Sequence, residues 1–277
     1  MWEEIKDFIQ KLYRQITNHD IFGLGAQLAY FFLLSLFPFL LFLMTLVGYL
    51  PLNDLDIIGF IETYAPGQIA DMIQQNVHQL VNNQNGQLLS IGIIGTLWSA
   101  SNGINAIMRG FNRAYDVDEN RSFIVTRLIA IVLTIAMILV IFIAFLLPIF
   151  GKAIGAYIFT FFGGSQQFLQ IWEGMRWAIS SAVFFIVLVA LYKMAPNKRI
   201  YFKNVVWGAL FATVGWQLTS LAFSFYVNSI GDYSATYGSL GTVIVLMIWF
   251  YLSGIIIMIG GVINATLRQE TITDEEK

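Results

Sequence analysis

Three groups of side chains in this sequence are of a kind that does chemistry. The first is Asp116, Asp118 and Glu119. Clustered carboxylates can hold Mg²⁺ for phosphodiester cleavage, the metal ions stabilising both the attacking and the leaving oxygen. These three stand among Arg113 and Arg121, and no second carboxylate cluster lies in another connection on the same side. They therefore read as a solvated, salt-bridged loop. The second group is the two histidines, His19 and His78. The chain's topology puts them on opposite sides of a membrane, so they form no common metal site, and His19 beside Asp20 reads as a solvated turn. The third is a polar stripe. Ser99, Asn102, Ala106 and Arg109 recur at spacings that share one helical face, with Ser101 and Asn105 alongside.

That stripe runs through an apolar segment, where polar groups are costly unless they face a protein interior or a wet cavity. Two readings stay open: a lined pathway, or close helix packing through small residues. Gln27 and Ser35 near Pro38, with Gln217, Ser253 and Asn264 further along, are the polar residues that could converge on it. At its end, Arg109, with Arg113 and Arg121 following, makes a basic rim suited to a lipid phosphate. The alternative for Arg109 is a snorkelling anchor.

Other chemistry is missing. With no cysteine there is no disulfide, thiol nucleophile or thiolate metal site. A phosphate-cradling Gly-x-x-x-x-Gly-Lys loop is absent, which speaks against ATP-driven work. No Asp or Glu falls inside any apolar span, which disfavours a proton- or sodium-coupled carrier, although unwound backbone carbonyls can also hold ions. The expectation is a protein that is not an enzyme and carries no cofactor and no metal.

The elements that must position these groups are membrane helices. Of 277 residues 57% are hydrophobic and 12% charged, and mean hydropathy is +0.70. A soluble domain carries about a quarter charged residues. The expected fold is all-α, a single polytopic membrane domain over 1–277. Six transmembrane helices are expected at about 27–50, 88–108, 123–147, 177–194, 205–227 and 240–266. Pro38 should kink the first, with Ser35 helping to satisfy the freed backbone. Short interfacial amphipathic helices complete the bundle. One is at 2–16, with Trp2, Ile5, Ile9, Leu12 and Ile16 on one face, lying either in the interface or against the protein's own loops. Another is at about 67–82, on the outer side. Residues 153–162 are apolar but too short to span. No cleavable signal peptide is visible at the N-terminus.

Basic residues orient the bundle. With the N-terminus inside, thirteen of the fifteen Lys and Arg fall on cytoplasmic segments, leaving Lys152 and Arg176 outside. By the positive-inside rule both termini are cytoplasmic. Gly254, Gly260 and Gly261 in the last span are the kind of small residues that let helices approach closely.

Three stretches carry a resemblance: LAYFFLLSLFPFLLFLMTLVGYL (28–50), WSASNGINAIMRGFNRAYDVDENR (98–121) and YGSLGTVIVLMIWFYLSGIIIMIGGVINA (237–265). In order and spacing, over nearly the whole chain, they resemble the YihY/BrkB family of bacterial inner-membrane proteins. The resemblance implies six transmembrane helices, the bacterial cytoplasmic membrane and cytoplasmic termini. Family labels include virulence factor and, formerly, ribonuclease BN, a name for trimming transfer-RNA ends. No catalytic motif carries over residue by residue. The ribonuclease label finds no support in the sequence. His19 is the only cytoplasmic histidine, and the inside cations already follow from topology, so nucleic acid is not an expected partner.

The function expected first is uncoupled transport or translocation of a lipid or other amphiphile, through a groove lined by the second and sixth spans, with membrane lipids as partners. The pathway residues would be Gln27, Ser35, Pro38, Ser99, Asn102, Asn105, Gln217 and Asn264, and the rim Arg109, Arg113 and Arg121. The alternative is an envelope-assembly scaffold that recruits a partner protein through the helix at 67–82; an envelope protein or a homo-oligomer is the further partner expected. A tRNA-processing ribonuclease ranks last.

Overall fold

Within hydrocarbon a backbone must close its hydrogen bonds inside the segment, and the apolar runs of this chain do so as helices. The computed structural model describes residues 2–47, 49, 85–140, 166–229 and 239–275. Helix α1 is Trp2–Asn18, α2 Ile21–Val47, α3 Gly86–Ala114 and α4 Phe123–Val140. Helix α5 is Gln166–Met194, α6 Val206–Ser229 and α7 Ser239–Glu275. A single 3-10 turn, Phe202–Asn204, precedes α6. Every regular element among the described residues is helical. The expected segments at 67–82 and 153–162 lie outside the described residues.

Among the described residues five helices are long and apolar enough to cross a membrane, over Ile21–Leu43, Phe123–Val140, Trp177–Met194, Val206–Val227 and Val243–Arg268. The fourth expected span, 177–194, coincides with one of these. Helix α3 has the length, 29 residues, but Asn102, Asn105 and Arg109 lower its hydropathy and it is not among the five. Phe37, Ile94, Leu128, Ile186 and Leu221 all stand exposed on their helices. Water tolerates no such apolar surface without association; lipid tails solvate it.

The described residues fall into two compact units, whose boundaries lie inside α2 and α3. In the unit from Phe32 to Ala100, a Cβ on Gly92 would stand 2.9 Å from the Phe42 backbone, and one on Gly95 3.0 Å from Pro38 Cβ. Two helices therefore meet almost backbone to backbone. Asn85 caps α3 by accepting from the Gln87 and Leu88 N–H groups at 3.1 and 3.0 Å. Pro38 sits within α2. Ser35 Oγ donates to the Phe32 carbonyl at 2.8 Å, not to that of Leu34, whose helical donor proline lacks.

The unit built from the chain up to Phe31 and from Ser101 onward is organised on α7. Gly254 lies against Gly25 and Leu28 of α2, Gly261 against Phe111 of α3, and Gly260 against Gly208 and Ala212 of α6. The Tyr192 hydroxyl of α5 donates to the Ile257 carbonyl at 2.8 Å. An aromatic ladder joins α5, α6 and α7: Phe184 to Trp216 at 4.7 Å and Trp216 to Trp249 at 5.9 Å between ring centroids. Helix α1 packs on α7, half-burying Leu12 and Ile16, while Ile9 is exposed.

Helix α3 ends on a left-handed residue. Asp116 has φ 50°; its N–H donates to the Arg113 carbonyl at 3.0 Å and the Val117 N–H to that of Asn112 at 2.9 Å. This double closure normally takes glycine, because a Cβ is crowded there. Asp116→Gly should therefore raise stability by roughly 0.5–1 kcal/mol. Thermal unfolding in detergent checks it, and a lower midpoint would contradict the strain.

Candidate functional site

The site begins at the turn between α1 and α2. Asp20 is left-handed too, φ 50°, and reverses the chain in two residues. Its Oδ1 accepts from the Gly23 N–H at 3.2 Å, capping α2. Its carboxylate lies over Gly23, where any Cβ would collide with it. One and two turns into α2 come Leu24 and Gln27. Opposite them stand the last turns of α3, where Arg109 and Arg113, four residues apart, share a face and are exposed. Asp20, Gly23, Leu24, Gln27, Arg109 and Arg113 line a cleft of about 360 Å³. Arg109 Nη2 approaches Gln27 Oε1 at 3.4 Å, a long contact that leaves the guanidinium open to a ligand.

His19 adjoins the cleft. Partial burial, then the charge of Arg113, push its pKa below the ordinary 6.5, against the opposing pull of Asp116. The imidazole is therefore neutral at pH 7, and the local positive charge comes from arginine.

The other expected site residues lie elsewhere. Asn102 Oδ1 accepts from Arg127 Nη1, near the start of α4, at 2.8 Å, so the stripe's first asparagine is taken up in an interhelical hydrogen bond. Asn105 Oδ1 is buried and makes no hydrogen bond. Gln217 Nε2 donates to Ser181 Oγ at 2.6 Å between α6 and α5. Ser253 Oγ accepts from Trp216 Nε1 at 3.1 Å. Asn264 is fully buried: its Oδ1 takes the Gly208 N–H at 2.7 Å and its Nδ2 reaches the Val205 carbonyl at 3.2 Å. Ser35, Pro38 and Ser99 belong to the Phe32–Ala100 unit. Of the expected set, then, Gln27, Arg109 and Arg113 come together in the cleft.

Arg121, expected beside them on the rim, is used otherwise. Its Nε donates to Glu119 Oε1 at 2.8 Å, and its Nη1 and Nη2 to the Met194 and Ala195 carbonyls at 3.2 and 2.8 Å. Asn112 Nδ2 donates to Glu119 Oε2 at 2.8 Å, and Asn112 Oδ1 accepts the Asn197 N–H at 2.7 Å. Burial works against the Glu119 charge, but the hydrogen bonds from Arg121 and Asn112 prevail and hold its carboxyl below the usual range. This is the salt-bridged connection that the sequence suggests. Among the described residues no three His, Asp or Glu side chains converge as for a metal ion.

Asp20 is the cleft residue that sequence reading passes over. Its signal is the rule that Asp immediately before an apolar helical run is a cap. Neither residue of the Arg127–Asn102 pair announces the other from sequence.

A bundle of apolar helices with lipid-compatible outer faces and a basic cleft at their ends defines an integral membrane protein of the helical class. The family model described as Virulence factor BrkB matches residues 12–277, and the chain belongs to that family. It is 54% identical over 269 residues to a protein named ribonuclease-like, YfkH, of Bacillus subtilis (strain 168), covering 97% of this chain and 98% of that one. It is also 25% identical over 274 residues to a UPF0761 membrane protein of Alteromonas mediterranea, covering 96% and 89%. A further UPF0761 membrane protein, of Haemophilus influenzae, is 21% identical over 272 residues, covering 96% of each chain. No solved structure matches the chain.

Proposed function

We propose that this chain is a six-span protein of the bacterial cytoplasmic membrane, with both termini inside, that translocates a phosphate-bearing lipid or similar amphiphile without an energy source of its own. The observation that carries the reading is the cleft where Arg109, Arg113 and Gln27 converge. A planar guanidinium with several N–H donors suits phosphate oxygens, and basic pockets between helices at the cytoplasmic side suit anionic head groups. Tyr30, one turn beyond Gln27 on α2, is exposed and gives acyl chains an apolar flank. Helix α3, second in chain order, joins the other five to make six spans, its polarity offset internally where Asn102 meets Arg127. The reading takes membrane lipids as the partners and assigns no catalytic residue.

The test is lipid movement in liposomes holding purified protein, with Arg109→Gln/Arg113→Gln beside the wild type. Losing about 1 kcal/mol of head-group attraction per arginine predicts a slowing of tenfold or more. Unchanged movement in a double variant that still elutes as a single folded species would overturn the cleft as the docking point. Asn102→Leu is a poorer probe, because it also strips Arg127 of a partner.

A further inference from the structure

The cleft is not uniformly basic. It carries Arg109 and Arg113 on the α3 side and Asp20 on the α2 side, with the Gln27 amide between. Among the described residues Asp20 is engaged through one oxygen, Oδ1, on the Gly23 N–H. The residue is exposed, so Oδ2 remains an acceptor at the cleft wall. A head group bearing phosphate alone would satisfy the arginines and be repelled by that carboxylate. One bearing phosphate and a protonated amine a few bonds away matches both signs, and a space of about 360 Å³ is within the range of small-ligand sites.

We infer that the cleft takes a zwitterionic aminophosphate head group, as in an ethanolamine phospholipid, with Asp20 selecting the ammonium and Arg109 and Arg113 the phosphate. The inference rests on the translocation reading and sharpens its substrate. The ammonium donates up to three hydrogen bonds, whereas a trimethylated amine donates none, so choline lipids fit less well. A phosphoglycerol head group lacks the cation altogether.

Proteoliposomes with acyl-labelled lipids of intact head group test it. Ethanolamine lipid should move about two- to fivefold faster than choline or glycerol lipid, the range expected of a solvent-exposed ion pair. Asp20→Asn keeps a side-chain oxygen for the Gly23 cap and tolerates the left-handed turn, and should erase that ratio. Independently of any variant, free phosphoethanolamine should slow wild-type movement at lower concentration than glycerol phosphate. Equal rates for all head groups, a preference that survives Asp20→Asn, or equal competition would overturn the inference while leaving translocation standing. Absence of movement with every lipid would overturn both.

Discussion

Gly208→Ala is expected to cost about 3 kcal/mol and to leave little folded protein at growth temperature. Gly208 is the third residue of α6, and its N–H is one that a helix start leaves without an internal partner. The residue before the helix, Val205, has no side-chain acceptor to offer. Asn264, reaching across from α7, supplies it, and returns a donor to the Val205 carbonyl. One buried amide thereby caps a neighbouring helix in both directions. A Cβ at Gly208 would run into the Gly260 carbonyl oxygen and the Asn264 amide, neither of which can swing aside as a flexible side-chain tip would. The helices must part, losing contact and cap together. Gly174, with nothing within 4 Å of where its Cβ would stand, is the matched control. Gly174→Ala should gain roughly 0.5–1 kcal/mol through the helix backbone alone. Thermal unfolding in detergent should separate the two clearly. A Gly208→Ala protein as stable as the wild type would mean that α6 and α7 are further apart there than described.

Arg121→Ala is the second large effect, about 2 kcal/mol. The guanidinium closes the C-terminal carbonyls of α5 at Met194 and Ala195 and holds Glu119 by a salt bridge of 2.8 Å. Its charge also complements the negative end of the α5 dipole. Removing it frees two helix-end carbonyls and leaves Glu119 with Asn112. The same variant has a pH signature. Because the folded pKa of Glu119 is depressed, its stabilisation is complete above the ordinary 4.5 and is lost as pH falls through the lower folded value. In Arg121→Ala the folded value rises toward 4.5 and that part of the acid slope flattens. A slope unchanged from wild type would show that Glu119 draws its depression from elsewhere.

The helices were legible because hydrocarbon leaves so few options. Runs of apolar residues long enough to cross must be helical, which is why the apolar stretch at 177–194 coincides with Trp177–Met194. Gly254, Gly260 and Gly261 announce close approach: the first two let a neighbouring backbone come near, at Gly25 and Gly208, and the third makes room for the Phe111 ring. Ends were read less well. Helix α2 begins at Ile21, six residues before the apolar run expected from Gln27, and α5 begins at Gln166, before its apolar part. At α2 the Asp20 cap and a tight turn set the start, and hydropathy registers neither.

For the site, the sequence by itself determined which residues carry the charge and the polar stripe, and that Arg109 and Arg113 share one face of a helix, because helical periodicity is local. Only tertiary structure decided their company. It set Gln27 and Asp20 across from Arg109 and Arg113, drew Arg121 away to the end of α5, and placed Asn264 on the start of α6. Hydrogen bonds between residues tens of positions apart depend on how helices pack, and an amide or guanidinium carries no mark in the sequence of which helix end it will meet.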